Sequence, residues 1–180
     1  MANDISTLLL FKLREQVERT EHLMSLIPPG EFEWAPHLPF VNQPNVFQLN
    51  ELLCHLTECL KGFCAALYAN HSGRLAHFVQ LREMQADASA GIQESRMRLR
   101  LYMAHVEEGF TLITDDDLRC EIPTVFAPQG EALLTILLGN LEHYINHKYQ
   151  LFFYLKMLGL PLKTHDLYHL TSKVPGQTES

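Results

Sequence analysis

Apolar residues recur along this chain at the three- and four-residue spacing that lines one face of an α-helix. Over residues 4–27 the stripe is Leu9, Leu13, Val17, Met24 and Ile27, and Pro28-Pro29-Gly30 ends it. Residues 28–45, with Trp34, Pro36, Pro39 and Pro44, form a connector too long for a simple helix hairpin. We expect it to pack against the helices. A second helix is predicted over 46–70, with Leu49, Leu52, Leu53, Leu56, Leu60, Phe63 and Leu67 as its apolar stripe. Asn45 and Gln48 have capping-box spacing at its start, and Gly73 lies just beyond its end. A third, over 87–113, carries Ile92, Leu99, Met103, Val106, Phe110 and Ile113. The polar stretch Thr114 to Gly130 breaks the pattern, and Glu121 to Phe126 is its candidate extended piece. The fourth helix is predicted over 131–158, stopped by Gly159 at the left-handed position and by Pro161. Four long amphipathic helices without alternating strands predict an all-α four-helix bundle. No internal repeat or low-complexity segment interrupts it. Residues 1–171 are expected to form a single helical domain and 172–180 a flexible tail.

Composition narrows the function classes. A chain of 180 residues can bury a core without disulfide or metal staples. Charged residues are 19% against 47% apolar, which points to a well-filled core and a spare apolar face for a partner subunit. The balance of 14 basic to 21 acidic residues, net −7, with no Lys/Arg run, disfavours nucleic acid as a partner. The N-terminus lacks the basic and apolar regions of a signal peptide, and no apolar run approaches the length of a membrane span. A cytoplasmic protein without a membrane partner is the expectation. Cys54, Cys59 and Cys64 fall at intervals of five on one predicted helix, which spreads them around it, and Cys120 stands apart. All four are expected to be buried free thiols.

The chemistry rests with the histidines, of which there are ten. Residues four apart on a helix differ by about 40° in direction, so both can reach one ion. His143 and His147 have this spacing in mid-helix. Random placement would give about half such a pair, so spacing alone discriminates weakly. His165 and His169 also satisfy it, but beyond Pro161 and without an apolar stripe, and we treat them as a decoy. A third donor must come from another helix. His55, among Leu52, Leu53 and Leu56, faces the bundle interior or its rim. Three imidazoles leave one coordination position open, which is the layout of a catalytic metal site. The competing reading is three ordinary core histidines, each satisfied by a hydrogen bond. The HExxH helix, the Glu-x-x-His of di-iron bundles, GxSxG, Walker and GxGxxG motifs are all absent from the sequence.

The segment Asn140-Leu-Glu-His143-Tyr-Ile-Asn-His147-Lys-Tyr-Gln150-Leu-Phe-Phe-Tyr-Leu155-Lys-Met-Leu-Gly159 resembles the last helix of the DinB/YfiT-like metalloenzymes. Glu51-Leu-Leu-Cys-His55-Leu-Thr-Glu58 resembles the second-helix signature of the same superfamily, which is unrelated to the DNA polymerase sharing the DinB name. Helix order and the long first connector extend the resemblance over the whole chain. It implies a DinB/YfiT-like four-helix bundle holding a divalent metal, zinc or nickel, through His55, His143 and His147. It also implies, among the activities of relatives, thiol S-transfer from bacillithiol or glutathione and a mycothiol-dependent isomerisation.

Around the triad, Asn140, Gln150 and Glu58 are candidates to orient an imidazole or a bound water. Cys59, one turn after His55, is a candidate fourth ligand. Lys148 and Tyr154 are candidates to meet a substrate, and Thr114 to Gly130 to cover the site. The leading expectation is a metal-dependent thiol S-transferase that joins a low-molecular-weight thiol to small electrophiles. A metal-dependent hydrolase and a non-catalytic, metal-stabilised dimeric binding module are the alternatives. A homodimer is expected in either case.

Overall fold

The computed structural model describes residues 4–37, 46–69, 91–124 and 127–168. Its long helices are α1 (Ile5–Ser25), α2 (Leu49–Tyr68), α3 (Ile92–Phe110) and α4 (Leu133–Met157). A short helix, α5 (Thr164–Leu167), follows them. Between α3 and α4 lie a 3₁₀ turn, Asp117–Arg119, and two short strands, β1 (Glu121–Ile122) and β2 (Glu131–Ala132), paired antiparallel with Glu121 opposite Ala132. The all-α bundle expected from the periodicity is the architecture observed. No described helix is long and apolar enough to cross a membrane.

α1 and α2 each lie between α3 and α4. The faces that meet are the predicted stripes: Leu13 and Val17 from α1, Leu52, Leu56, Leu60 and Leu67 from α2, Leu99 and Val106 from α3, and Leu137, Leu151 and Leu155 from α4 are all buried. Each buried Leu contributes roughly 1.5–3 kcal/mol of transfer free energy, so the stripes are the main source of cohesion. Two close approaches set the spacing of α2. A Cβ on Gly109 would lie 2.9 Å from Leu67, and one on Gly62 would lie 3.2 Å from Asn140 Oδ1.

The connector does pack as expected over its described part. Trp34 and Phe32 present backbone carbonyls to the N–H groups of Leu49 (2.8 Å) and Asn50 (2.9 Å). These are first-turn donors of α2, which have no partner inside their own helix. Glu51 accepts the Gln48 N–H at 2.7 Å, so the capping pair is Gln48/Glu51. The expected pair began at Asn45, which lies outside the described residues, as do residues 70 and 87–90 of the predicted second and third helices. Gly159 has φ +87°, the left-handed conformation that stops α4. The fourth helix starts two residues later than expected because Glu131 and Ala132 pair with β1. Cys120 is exposed and Cys54 and Cys59 are half-buried, which corrects the expectation of four buried thiols; Cys64 alone is buried among them.

Candidate metal centre

The site sits on the seam between α2 and α4. His55 projects from α2 toward the His143/His147 pair of α4, and the three rings converge through the same atom type. His55 Nε2 is 3.1 Å from His143 Nε2 and 3.0 Å from His147 Nε2. Ring centroids are 5.3 Å (55–143), 4.3 Å (55–147) and 4.6 Å (143–147) apart. His143 is exposed, whereas His55 and His147 are half-buried. The site is therefore open on its His143 side.

The tautomer of His147 follows from a chain of hydrogen bonds that ends on a backbone carbonyl. The Phe47 carbonyl can only accept, so Tyr154 Oη donates to it (3.1 Å). That hydroxyl oxygen accepts from Gln150 Nε2 (2.9 Å), which turns Gln150 Oε1 toward His147 Nδ1 (3.0 Å). Nδ1 must then carry the proton, and Nε2 presents a bare lone pair to the point where the rings meet. Trp34 packs edge-on against Tyr154, with ring centroids 5.4 Å apart, and the Phe47 ring stacks on His55 (5.1 Å, 24°). The chain just ahead of α2 thus holds two of the three histidines, one through Tyr154 and Gln150 and one by direct stacking of Phe47.

Burial holds His55 below the ordinary imidazole pKa, with help from the charges of His147 and His143 and against the charge of Glu58. Burial, then His147, lowers His143 as well. Both rings therefore resist protonation near neutral pH and keep lone pairs available to a cation.

This donor set fits a divalent ion. One proton on His55 Nε2 cannot satisfy two facing nitrogens at once, whereas one cation can accept from all three. Ligands 2.0–2.1 Å from zinc in a tetrahedron lie about 3.3–3.4 Å apart, close to the observed spacing. Cys59, one turn along α2 from His55, adds a sulfur: the ligand atoms of His55, Cys59 and His143 all lie within 4.8 Å of one another. Burial pushes the Cys59 thiol up to about 12, so it stays protonated unless a cation is present.

The other candidates have partners outside the three imidazoles. Asn140 lies against Gly62, where it spaces the two helices. Glu58 pairs with Lys61 (3.0 Å). Lys148 points away from the site: it is buried and donates to Gln16 Oε1 (2.6 Å) and the Leu167 carbonyl (2.9 Å), which corrects its assignment as a substrate contact. Tyr154 is committed to Gln150 and Phe47. The 3₁₀ turn and β2 pack against α4, with β2 leading directly into its first turn, about 15 Å along the axis from His143. In the decoy pair, His165 lies in α5, exposed beside Asp166 at 3.7 Å, and His169 is outside the described residues. Phe47 is not among the residues that the sequence pattern singles out. It falls at the start of the predicted 46–70 helix but ahead of the observed one, and nothing in the pattern fixes its facing.

No family model and no curated protein matches the sequence. Among solved structures, the chain is similar to a DinB-like protein, YjoA, from Bacillus subtilis, at 15% identity over 86% of this chain and 94% of that one, with a TM-score of 0.62. It is also similar to a protein assigned to the DinB family from Exiguobacterium sibiricum, at 19% identity over 93% of this chain and 100% of that one, with a TM-score of 0.59. At these identities the likeness is one of fold, and the chain has the DinB-like helical fold. The family resemblance drawn from the two histidine segments points to the same fold.

Proposed function

We propose that this protein is a divalent-metal-dependent enzyme whose metal is held by His55, His143 and His147, and that it joins low-molecular-weight thiols to small electrophiles. The observation that supports this reading is the approach of His55 Nε2 to within 3.1 Å of both partner nitrogens, with the His147 lone pair aimed inward by Gln150. A bound divalent cation supplies Lewis acidity that lowers the pKa of a thiol at the open position. The chain's own groups do the rest. His55 is kept neutral by burial, its ring is fixed by Phe47, and His147 is fixed by Gln150. The protein needs no nucleophile of its own, in keeping with the absence of any nucleophile motif from the sequence.

Metal-loaded protein is screened with glutathione, bacillithiol or cysteine against reactive electrophiles. Conjugation faster than the uncatalysed reaction, and lost in His143→Ala, is the expected result. Cleavage of ester or amide substrates with no thiol requirement would replace this reading with a hydrolase. Bound metal with neither activity would leave a metal-stabilised binding module.

A further inference from the structure

We propose that Cys59 is a fourth protein donor to the same cation, making the centre N₃S at rest. This rests on the histidine triad reading and extends it. The sulfur stands within 4.8 Å of a ring nitrogen of both His55 and His143, whose Nε2 atoms are 3.1 Å apart. The placement has a structural logic. α2 offers an i,i+4 pair, His55 and Cys59, and α4 offers another, His143 and His147, across one helix seam. Of the four ligand atoms these pairs carry, those of His55, Cys59 and His143 lie within 4.8 Å of one another, and His147 Nε2 joins them through His55 Nε2 at 3.0 Å. Cys59 shares that volume, whereas Cys54 and Cys64, five residues to either side, are rotated by about 140° in opposite directions around α2 and face elsewhere.

A sulfur donor changes which cations the centre prefers. Thiolate with imidazole selects borderline and soft ions such as zinc, cobalt and nickel over magnesium or calcium. On binding, the Cys59 proton leaves to the buffer and the sulfur takes the cation in its place, so the charge of the ion is partly neutralised within the protein. Cys59 then holds the position that the three imidazoles leave open, and a substrate thiol takes that position by giving its proton to the Cys59 sulfur it displaces.

Cobalt(II) is the probe. It is titrated into metal-free wild-type protein and into Cys59→Ser, Cys59→Ala and Cys54→Ser, with far-ultraviolet circular dichroism confirming that each variant is folded. The expected result is a near-ultraviolet thiolate-to-cobalt charge-transfer band in wild type and Cys54→Ser. Both Cys59 variants lose it while keeping the visible ligand-field bands of bound cobalt. Ligand-field bands without charge transfer in wild type, or a charge-transfer band that survives in Cys59→Ser, would overturn the proposal and leave the triad standing. No cobalt uptake by wild type would overturn both.

Discussion

The tautomer of His147 depends on atoms that no single motif contains. Gln150 one turn along was legible as a candidate, because spacing on a helix is fixed. The direction of its amide was not legible, because it is set by Tyr154 and by a carbonyl in the connector. Gln150→Ala should weaken metal binding by about 10–100-fold, measured by chelator competition, as is usual when the partner of a ligating histidine is removed. Tyr154→Phe should weaken it in the same direction by less, since the amide survives but is free to flip. Full affinity in both variants would remove the relay from the account. Lys148 makes a separate prediction. Burial pulls its ammonium down to about 8, against the opposing charge of Glu15. Between about pH 8 and the unfolded lysine value of about 10.4, the unfolded chain holds a proton that the folded chain has shed. Stability should therefore rise with pH across that window more steeply in wild type than in Lys148→Met. Equal slopes in urea denaturation at pH 8 and 10 would contradict it.

The helices were readable because each carries its apolar stripe at helical spacing and α4 has its own stop signal. The strand pair was not, since two residues per strand leave no period to detect. The helix seams add constraints that periodicity cannot express. Gly109 lies on α3 where Leu67 of α2 approaches to 2.9 Å of a built Cβ. Gly109→Ala should gain about 1 kcal/mol of helix propensity but lose about 1–3 kcal/mol to overpacking, so it should not stabilise and should destabilise by up to about 2 kcal/mol. Gly139, exposed on α4 with nothing within 4 Å of a built Cβ, is the control. Gly139→Ala should stabilise by about 1 kcal/mol. Urea midpoints that move the same way in both variants would show that the close approach is not what places α3 against α2.

At the level of the molecule, the low charge content seen in the sequence has a counterpart on α4. Leu138, Tyr149, Phe153 and Met157 are exposed, and their intervals of eleven, four and four place them on one outward stripe. We propose that this stripe joins two copies of the chain in a homodimer. Light scattering should give twice the chain mass, and Phe153→Glu should give a folded monomer. A wild-type monomer at micromolar concentration would count against it. The stripe lies on the helix that carries His143 and His147, so any assembly bears on the same helix as the site.

The most direct test of the metal centre is metal content by mass spectrometry in purified wild type and in His55→Ala, His143→Ala, His147→Ala and His165→Ala, each checked for retained helix. One divalent ion per chain is expected in wild type and in His165→Ala. His143→Ala and His147→Ala should lose most of it, and His55→Ala should be strongly depleted. Undiminished metal in all three triad variants would contradict the site and leave only the helical bundle.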